Sequence, residues 1–131
     1  MIVLDASSLV AVLLNTDVGR RMANVISSPA ESLHAPQLLD IEVLQVLRGH
    51  VRRGAMTAER GAMAAEVLGQ LDITRYGHDE LSSRIWALRE NLTAYDATYV
   101  ALAEALDAPL LTLDARLAAA PGHQAKVRFV Q

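Results

Sequence analysis

The 131-residue chain has no cysteine, which excludes disulfides, thiolate zinc sites and a cysteine nucleophile. Aromatic residues make up only 4% of it, so the interior must be built mostly from Leu, Val, Ile and Ala. Such a core suits helices layered on a sheet. The longest purely apolar stretch, Leu9–Leu14, is far short of the roughly 20 residues a membrane helix needs. The N-terminus also lacks the basic region and small-residue cleavage site of a secretory signal. The expectation is a soluble cytoplasmic protein with no membrane partner. No glycine-rich phosphate loop is present, so no nucleotide cofactor is expected. Ser7 and Ser8 lack the Gly-x-Ser-x-Gly surround of a hydrolase nucleophile. The four histidines, His34, His50, His78 and His123, show no paired metal-binding spacing. Lysine is nearly missing too: Lys126 stands alone against eleven arginines. Arginine's planar fork suits bidentate phosphate contacts, although a compositional bias of the genome explains the ratio as well.

The chain does carry two apolar runs that end in a carboxylate. Met1–Ser7 (MIVLDAS) closes on Asp5 with hydroxyls at Ser7 and Ser8 behind it, and Pro109–Asp114 (PLLTLD) closes on Asp114. Unbroken apolar runs are the signature of strands buried on both faces of a parallel sheet. Ligands of such sheets gather at the carboxyl ends of the strands. Two aspartates placed there from opposite ends of the chain suggest an acidic pocket that holds a metal ion. The net charge of −3 argues against a nucleic-acid binder, but four carboxylates committed to metal would leave +1.

No linker, repeat or low-complexity tract interrupts residues 1–131, which fits one domain with one core. Short β-like runs alternate with helical stretches, the pattern of an α/β domain with a mostly parallel sheet. Strands are predicted at Ile2–Asp5, Ser32–Ala35 (stopped by Pro36), Ile73–Tyr76, Leu110–Leu113 and Val127–Val130. Short helices are predicted at Leu9–Leu14 and Val18–Ser27, the second capped by Thr16 or Asp17. A long helix over Gln37–Arg53 ends at Gly54, and Thr57 caps another that runs to about Leu71. His78–Asn91, Thr93–Leu106 and Ala115–Ala120 complete the helices.

Each acid has a structural alternative. Asp5 and Asp114 are favoured N-cap residues for the helices that follow them. Thr112, two residues before Asp114, shares its side of the strand and could orient that carboxylate or a water. Thr93-x-x-Asp96 matches a capping box, yet Asp96, Val100 and Ala103 line one apolar helix face. A carboxylate on such a face needs a cation or an arginine. Within the long helix, Asp40 and Glu42 both have apolar neighbours. Asp40 sits near the first turn, where the helix dipole favours an acid, so Glu42 is the harder one to explain as scaffolding. The basic stretch Arg48–Arg53 could track a phosphate backbone or form a solvated helix end.

Taken in order, Ile2–Ser7 (IVLDAS), Glu42 in Ile41–Arg48 (IEVLQVLR), Tyr95–Glu104 (YDATYVALAE) and Leu111–Asp114 (LTLD) resemble PIN-domain ribonucleases. The likeness is closest to the VapC toxins of VapBC toxin–antitoxin modules and covers essentially the whole chain. It implies a three-layer α/β/α fold around a central, mostly parallel sheet. It implies that Asp5, Glu42, Asp96 and Asp114 form the acidic quartet, with Ser7 and Thr112 at positions that often hold a supporting hydroxyl. A homodimer and a cognate VapB-like antitoxin are implied as well.

Oxygen-only ligands favour Mg²⁺ or Mn²⁺ over zinc or copper. The expected activity is endoribonuclease hydrolysis of RNA phosphodiester bonds by a metal-activated water, leaving, as the resemblance implies, a 5′-phosphate and a 3′-hydroxyl. Asp5 and Asp96 are expected to hold the principal metal, with Glu42 and Asp114 completing the shell, some through water. Which acid serves as general base stays open. A receiver-type domain would need a lysine near the site, and the sole lysine, Lys126, precedes the last strand. A haloacid-dehalogenase-like phosphatase would want an aspartate where Ser7 stands. The remaining alternative is an inactive PIN-like domain that only binds RNA or a protein.

Overall fold

The computed structural model describes every residue, Met1–Gln131. Its centre is a five-stranded sheet in the order β3-β2-β1-β4-β5, with every neighbouring pair parallel. The strands are β1 (Ile2–Leu4), β2 (Leu33–Pro36), β3 (Ile73–Tyr76), β4 (Leu110–Thr112) and β5 (Val127–Phe129). Seven α-helices flank it: α1 (Ala6–Leu13), α2 (Asp17–Ile26), α3 (Leu38–Arg52), α4 (Ala58–Gln70), α5 (Ser82–Ala87), α6 (Ala94–Leu106) and α7 (Ala115–Ala119). This is the expected three-layer α/β/α arrangement.

Alternation along the strands divides the core between the two faces of the sheet. Ile2, Leu4 and Leu111 cluster with Met22 of α2, whereas Val3 and Leu110 join the larger core to which α3, α4 and α6 contribute. Helix α6 lies deepest, with every residue from Ala97 to Ala103 buried. The chain builds outward from β1 to β2 and β3, then returns to place β4 on β1's other side. That reversal puts a topological switch point between the carboxyl ends of β1 and β4, where open α/β sheets bind ligands.

Several boundaries depart from the sequence reading for identifiable reasons. Helix α1 begins three residues before Leu9, because Asp5 caps it directly by accepting the Ser8 N–H at 2.9 Å. Strand β2 includes Pro36, which pairs with Tyr76. A proline lacks only the donor, and the next amide, Gln37 N–H, supplies a bond to the Tyr76 carbonyl at 2.9 Å. The expected helix over His78–Asn91 is shorter. A 3₁₀ turn, Asp79–Leu81, precedes α5, which ends as the Leu88 N–H divides between the Arg84 and Ile85 carbonyls. Buried Leu88 and Leu92 then anchor the connection to α6. Thr16, Thr57 and Thr93 each cap a helix through the side-chain oxygen, as their sequence context indicates.

Candidate active site

Asp5 leaves the end of β1 as the N-cap of α1 and is almost fully buried, at 5% exposure. Every hydrogen bond of its side chain is one it accepts. The Ser7 hydroxyl donates to both carboxylate oxygens, at 2.8 and 2.9 Å. The Ser8 N–H and hydroxyl reach Oδ1 at 2.9 and 3.0 Å, and the Thr112 hydroxyl donates to Oδ2. The two outer hydroxyls are themselves oriented by backbone. Leu113 N–H donates to Ser7 Oγ and Asp114 N–H to Thr112 Oγ1, each at 3.0 Å. With their lone pairs engaged by amides, these hydroxyls point their protons at Asp5. Ser7 and Thr112 thus join the ends of β1 and β4 through one carboxylate.

Asp114 follows β4 and caps α7, with Oδ1 accepting from Arg116 N–H at 2.9 Å and Leu117 N–H at 3.4 Å. The capping readings of Asp5 and Asp114 therefore hold, and they fix the same carboxylates at the switch point. Asp96 lies in the first turn of α6, where Thr93 Oγ1 accepts its N–H at 3.1 Å. Its side chain is half-buried beside Val100 and Ala103, as the helical spacing suggests.

Helix α3 distinguishes its two acids. Asp40 forms a two-pronged ion pair with Arg75 of β3, at 2.6 and 2.9 Å. Glu42 has no cation. Its Oε1 accepts the hydroxyl of Tyr99, on α6, at 2.5 Å.

The quartet is coupled electrostatically. Burial holds Glu42 above its ordinary carboxyl value, the Tyr99 bond opposes this, and the charges of Asp96 and Asp5 add to it. Asp96 is likewise raised by burial first, then by Asp114 and Asp5, with Arg116 and Thr93 acting the other way. Clustered carboxylates behave this way when the nearby cation, here the exposed Arg116 beside Asp114, does not offset them. No three His, Cys, Asp or Glu side chains stand close enough together to bind one ion directly. The donor set nonetheless fits a hard divalent cation: it is all oxygen, and Mg²⁺ usually takes one or two carboxylates and keeps several waters.

Tyr99 and Ser8 are the parts of this site that the sequence reading did not assign. Ser8 is fully buried, and its hydroxyl also reaches the Leu111 carbonyl at 3.1 Å. The signal for Tyr99 was a phenol three residues after Asp96 that leads into the aliphatic run Val100–Ala103.

A parallel sheet with acids at its switch point and a helical acid on each of two neighbouring segments defines a class. The chain belongs to the PIN-domain family, whose model matches residues 2–122. Within that family it is similar to VapC ribonucleases. It is 45% identical to VapC ribonuclease Mb0985 of Mycobacterium bovis over 117 residues, covering 89% of this chain and 88% of that protein. It is 37% identical to ribonuclease VapC12 of Mycobacterium tuberculosis over 130 residues, covering 99% of both. The crystal structure of Mycobacterium tuberculosis VapC20, described as a sarcin-ricin-loop-cleaving toxin, shares the fold with a TM-score of 0.68 at 16% identity, over 91% of this chain and 94% of that one. No helix of the chain is long and apolar enough to cross a membrane.

Proposed function

We propose that the chain is a divalent-metal-dependent endoribonuclease and the toxin of a type II toxin–antitoxin pair, with Asp5, Glu42, Asp96 and Asp114 as its working acids. The observation that carries this reading is the hydroxyl-bridged junction of β1 and β4, where Thr112 links the Asp5 carboxylate to the Asp114 amide, while Asp96 feels the charge of both acids and Glu42 that of Asp5. Relatives named as ribonucleases over most of the chain length support it.

Asp5 and Asp96 would hold Mg²⁺ or Mn²⁺, with Glu42 and Asp114 completing the shell, some through water. A bound divalent ion supplies Lewis acidity at the scissile phosphate and makes a water nucleophilic at neutral pH. The protein's own residues do the rest. Ser7, Ser8 and Thr112 hold Asp5 in one orientation, so no reorganisation is needed when the ion arrives. Arg116, whose side chain is almost fully exposed beside Asp114, is placed to meet an incoming phosphate. Hydrolysis would form a bond from the water oxygen to phosphorus and break the bond from phosphorus to the 3′ oxygen; one of the acids takes the water's proton, and the 3′ oxygen leaves as a hydroxyl with a proton from solvent.

The antitoxin is proposed to cover an apolar groove of about 370 Å³ between α3 and α4, lined by Leu44, Leu47, Val51, Ala58 and Gly61 with Arg48 and Arg52 at its rim. Exposed Ile41, one turn before Leu44 on α3, extends the apolar surface. A homodimer is proposed from the family, and sedimentation equilibrium tests it.

Purified protein should cleave RNA with Mg²⁺ or Mn²⁺ and stop with EDTA. Asp5→Asn or Asp96→Asn should abolish cleavage with the circular dichroism spectrum intact. Full activity in either variant would remove the site assignment. RNA binding without cleavage by the wild type would favour the inactive binding module.

A further inference from the structure

We infer that Tyr99 is a positioning residue for Glu42, holding that carboxylate in place for the cation. The inference rests on the reading of Glu42 as a member of the acidic site. Tyr99 is among the largest fully buried side chains, at 1% exposure, in a helix whose other buried positions are Ala, Val, Leu and one Thr. Phenylalanine would fill the same volume without a polar atom to satisfy. The phenol instead crosses from α6 to α3 and donates to Glu42 Oε1 at 2.5 Å, within the range of a hydroxyl bonded to an ionised carboxylate.

Nothing else in the protein holds this acid. No other donor reaches Glu42, and it has no cationic partner, whereas Asp40, two residues earlier, is clamped by Arg75. A glutamate has three side-chain torsions, and without Tyr99 it would be free to swing out of the site toward water. The bond takes Oε1 and leaves Oε2 without a protein partner. It also ties Glu42 to the helix that carries Asp96, three residues before Tyr99 and one turn away. Tyr99 therefore does for Glu42 what Ser7 and Thr112 do for Asp5: it fixes a carboxylate by its outer contacts before any ion binds.

The test is Mn²⁺ binding to the RNA-free protein, measured by calorimetric titration on the wild type, Tyr99→Phe, Glu42→Gln and the double variant. Removing the outer partner of a metal ligand typically weakens the metal about 10–100-fold, and that loss is expected for Tyr99→Phe. On the Glu42→Gln background, Tyr99→Phe should add nothing. Wild-type affinity in Tyr99→Phe overturns the inference, and so does a full additional loss in the double variant. Wild-type affinity in Glu42→Gln would instead show that Glu42 is no ligand, which takes down the reading of the acidic site and the inference with it. A second measurement does not depend on a folded Tyr99 variant. In 3-fluorotyrosine-labelled wild type, Tyr76→Phe and Tyr95→Phe assign two of the three resonances. The third, Tyr99, should shift on adding Mg²⁺ and should not in Glu42→Gln. An unmoved Tyr99 resonance in the wild type overturns the proposal.

Discussion

Replacing Thr112 by Val isolates the hydroxyl that joins the two halves of the sheet. The two side chains have nearly the same shape, so no cavity is opened, and Thr112 is fully buried. Three hydrogen bonds disappear, of which the 3.4 Å contact with the Ser7 hydroxyl is long and weak and two carry the cost. The first is the bond donated to Asp5 Oδ2, a contact to a charged group worth about 1.5–3 kcal/mol. The second is the acceptor for Asp114 N–H, 3.0 Å away. An orphaned amide costs about 1–3 kcal/mol, and since Asp114 is only half-buried, water recovers part of it. The sum is about 2–4 kcal/mol of lost stability. With a urea dependence of about 2 kcal/mol per molar, the unfolding midpoint should fall by about 1–2 M at unchanged slope. Thr112→Ser keeps the hydroxyl and loses a single methyl, so its cost should stay near 1 kcal/mol. The reasoning is refuted if Thr112→Val unfolds within about 0.5 kcal/mol of the wild type, or if Thr112→Ser is as damaged as Thr112→Val.

Three other outcomes are expected. Because Glu42 and Asp96 are raised above their ordinary 4.5 and 3.8, the folded chain keeps protons that the unfolded chain has released, and these groups withdraw stability as pH rises from about 4. In EDTA, the wild type should therefore lose stability relative to Asp96→Asn between about pH 4 and pH 7, and excess Mg²⁺ should remove the decline; a flat difference contradicts the coupling. Asp40→Asn should cost about 1–2 kcal/mol, since it breaks a half-buried two-pronged pair with Arg75, yet leave RNA cleavage within about twofold; abolished cleavage would return Asp40 to the list of working acids. Gly19→Ala should cost about 3 kcal/mol or more and lower the yield of folded protein, because a Cβ there would stand 1.9 Å from the Ala11 carbonyl oxygen; a wild-type melting temperature would show that α1 and α2 pack more loosely than described.

What the sequence disclosed depended on how local the determining interaction is. Strands β1 and β4 were legible because burial on both faces writes an unbroken apolar run, and the threonine caps were legible because a cap acts within three residues. The choice between Asp40 and Glu42 was not. The helical wheel gave both acids apolar neighbours, and what separates them is an arginine on β3, 35 residues away from Asp40. Asp5 posed a different difficulty: capping and membership of the acid cluster looked like competing explanations, and the structure contains both. The break in the helix over His78–Asn91 escaped notice because Leu81, Ile85 and Leu88 keep helical spacing through a 3₁₀ turn and a short helix alike. Tyr99 carries no role legible in the sequence, since a tyrosine in an apolar helix reads as core until its partner is known. That partner comes from α3, 57 residues earlier.

The four carboxylates are held in unlike ways, and the differences bear on how such a site works. Asp5 spends both oxygens on hydroxyl and amide donors, so its position is fixed and its charge already partly solvated by protein. Asp114 spends Oδ1 on the first amides of α7. Glu42 spends Oε1 on one phenol. Asp96 has no cation clamped to it; its opposing influences are Arg116 and Thr93, and both are outweighed by burial and the neighbouring acids. The desolvation cost is thus concentrated on Asp96 and Glu42, the two acids carried by helices, while the strand-end acids are stabilised by backbone and hydroxyl groups. A divalent ion would relieve the helical pair most, because their charge is the least compensated. The strand-end acids would act as its fixed reference, held by the sheet at the switch point. On the proposed reading, the stability given up at α3 and α6 is what a cation would recover on binding, and the sheet, with β1 fully buried at its centre, carries the fixed pair.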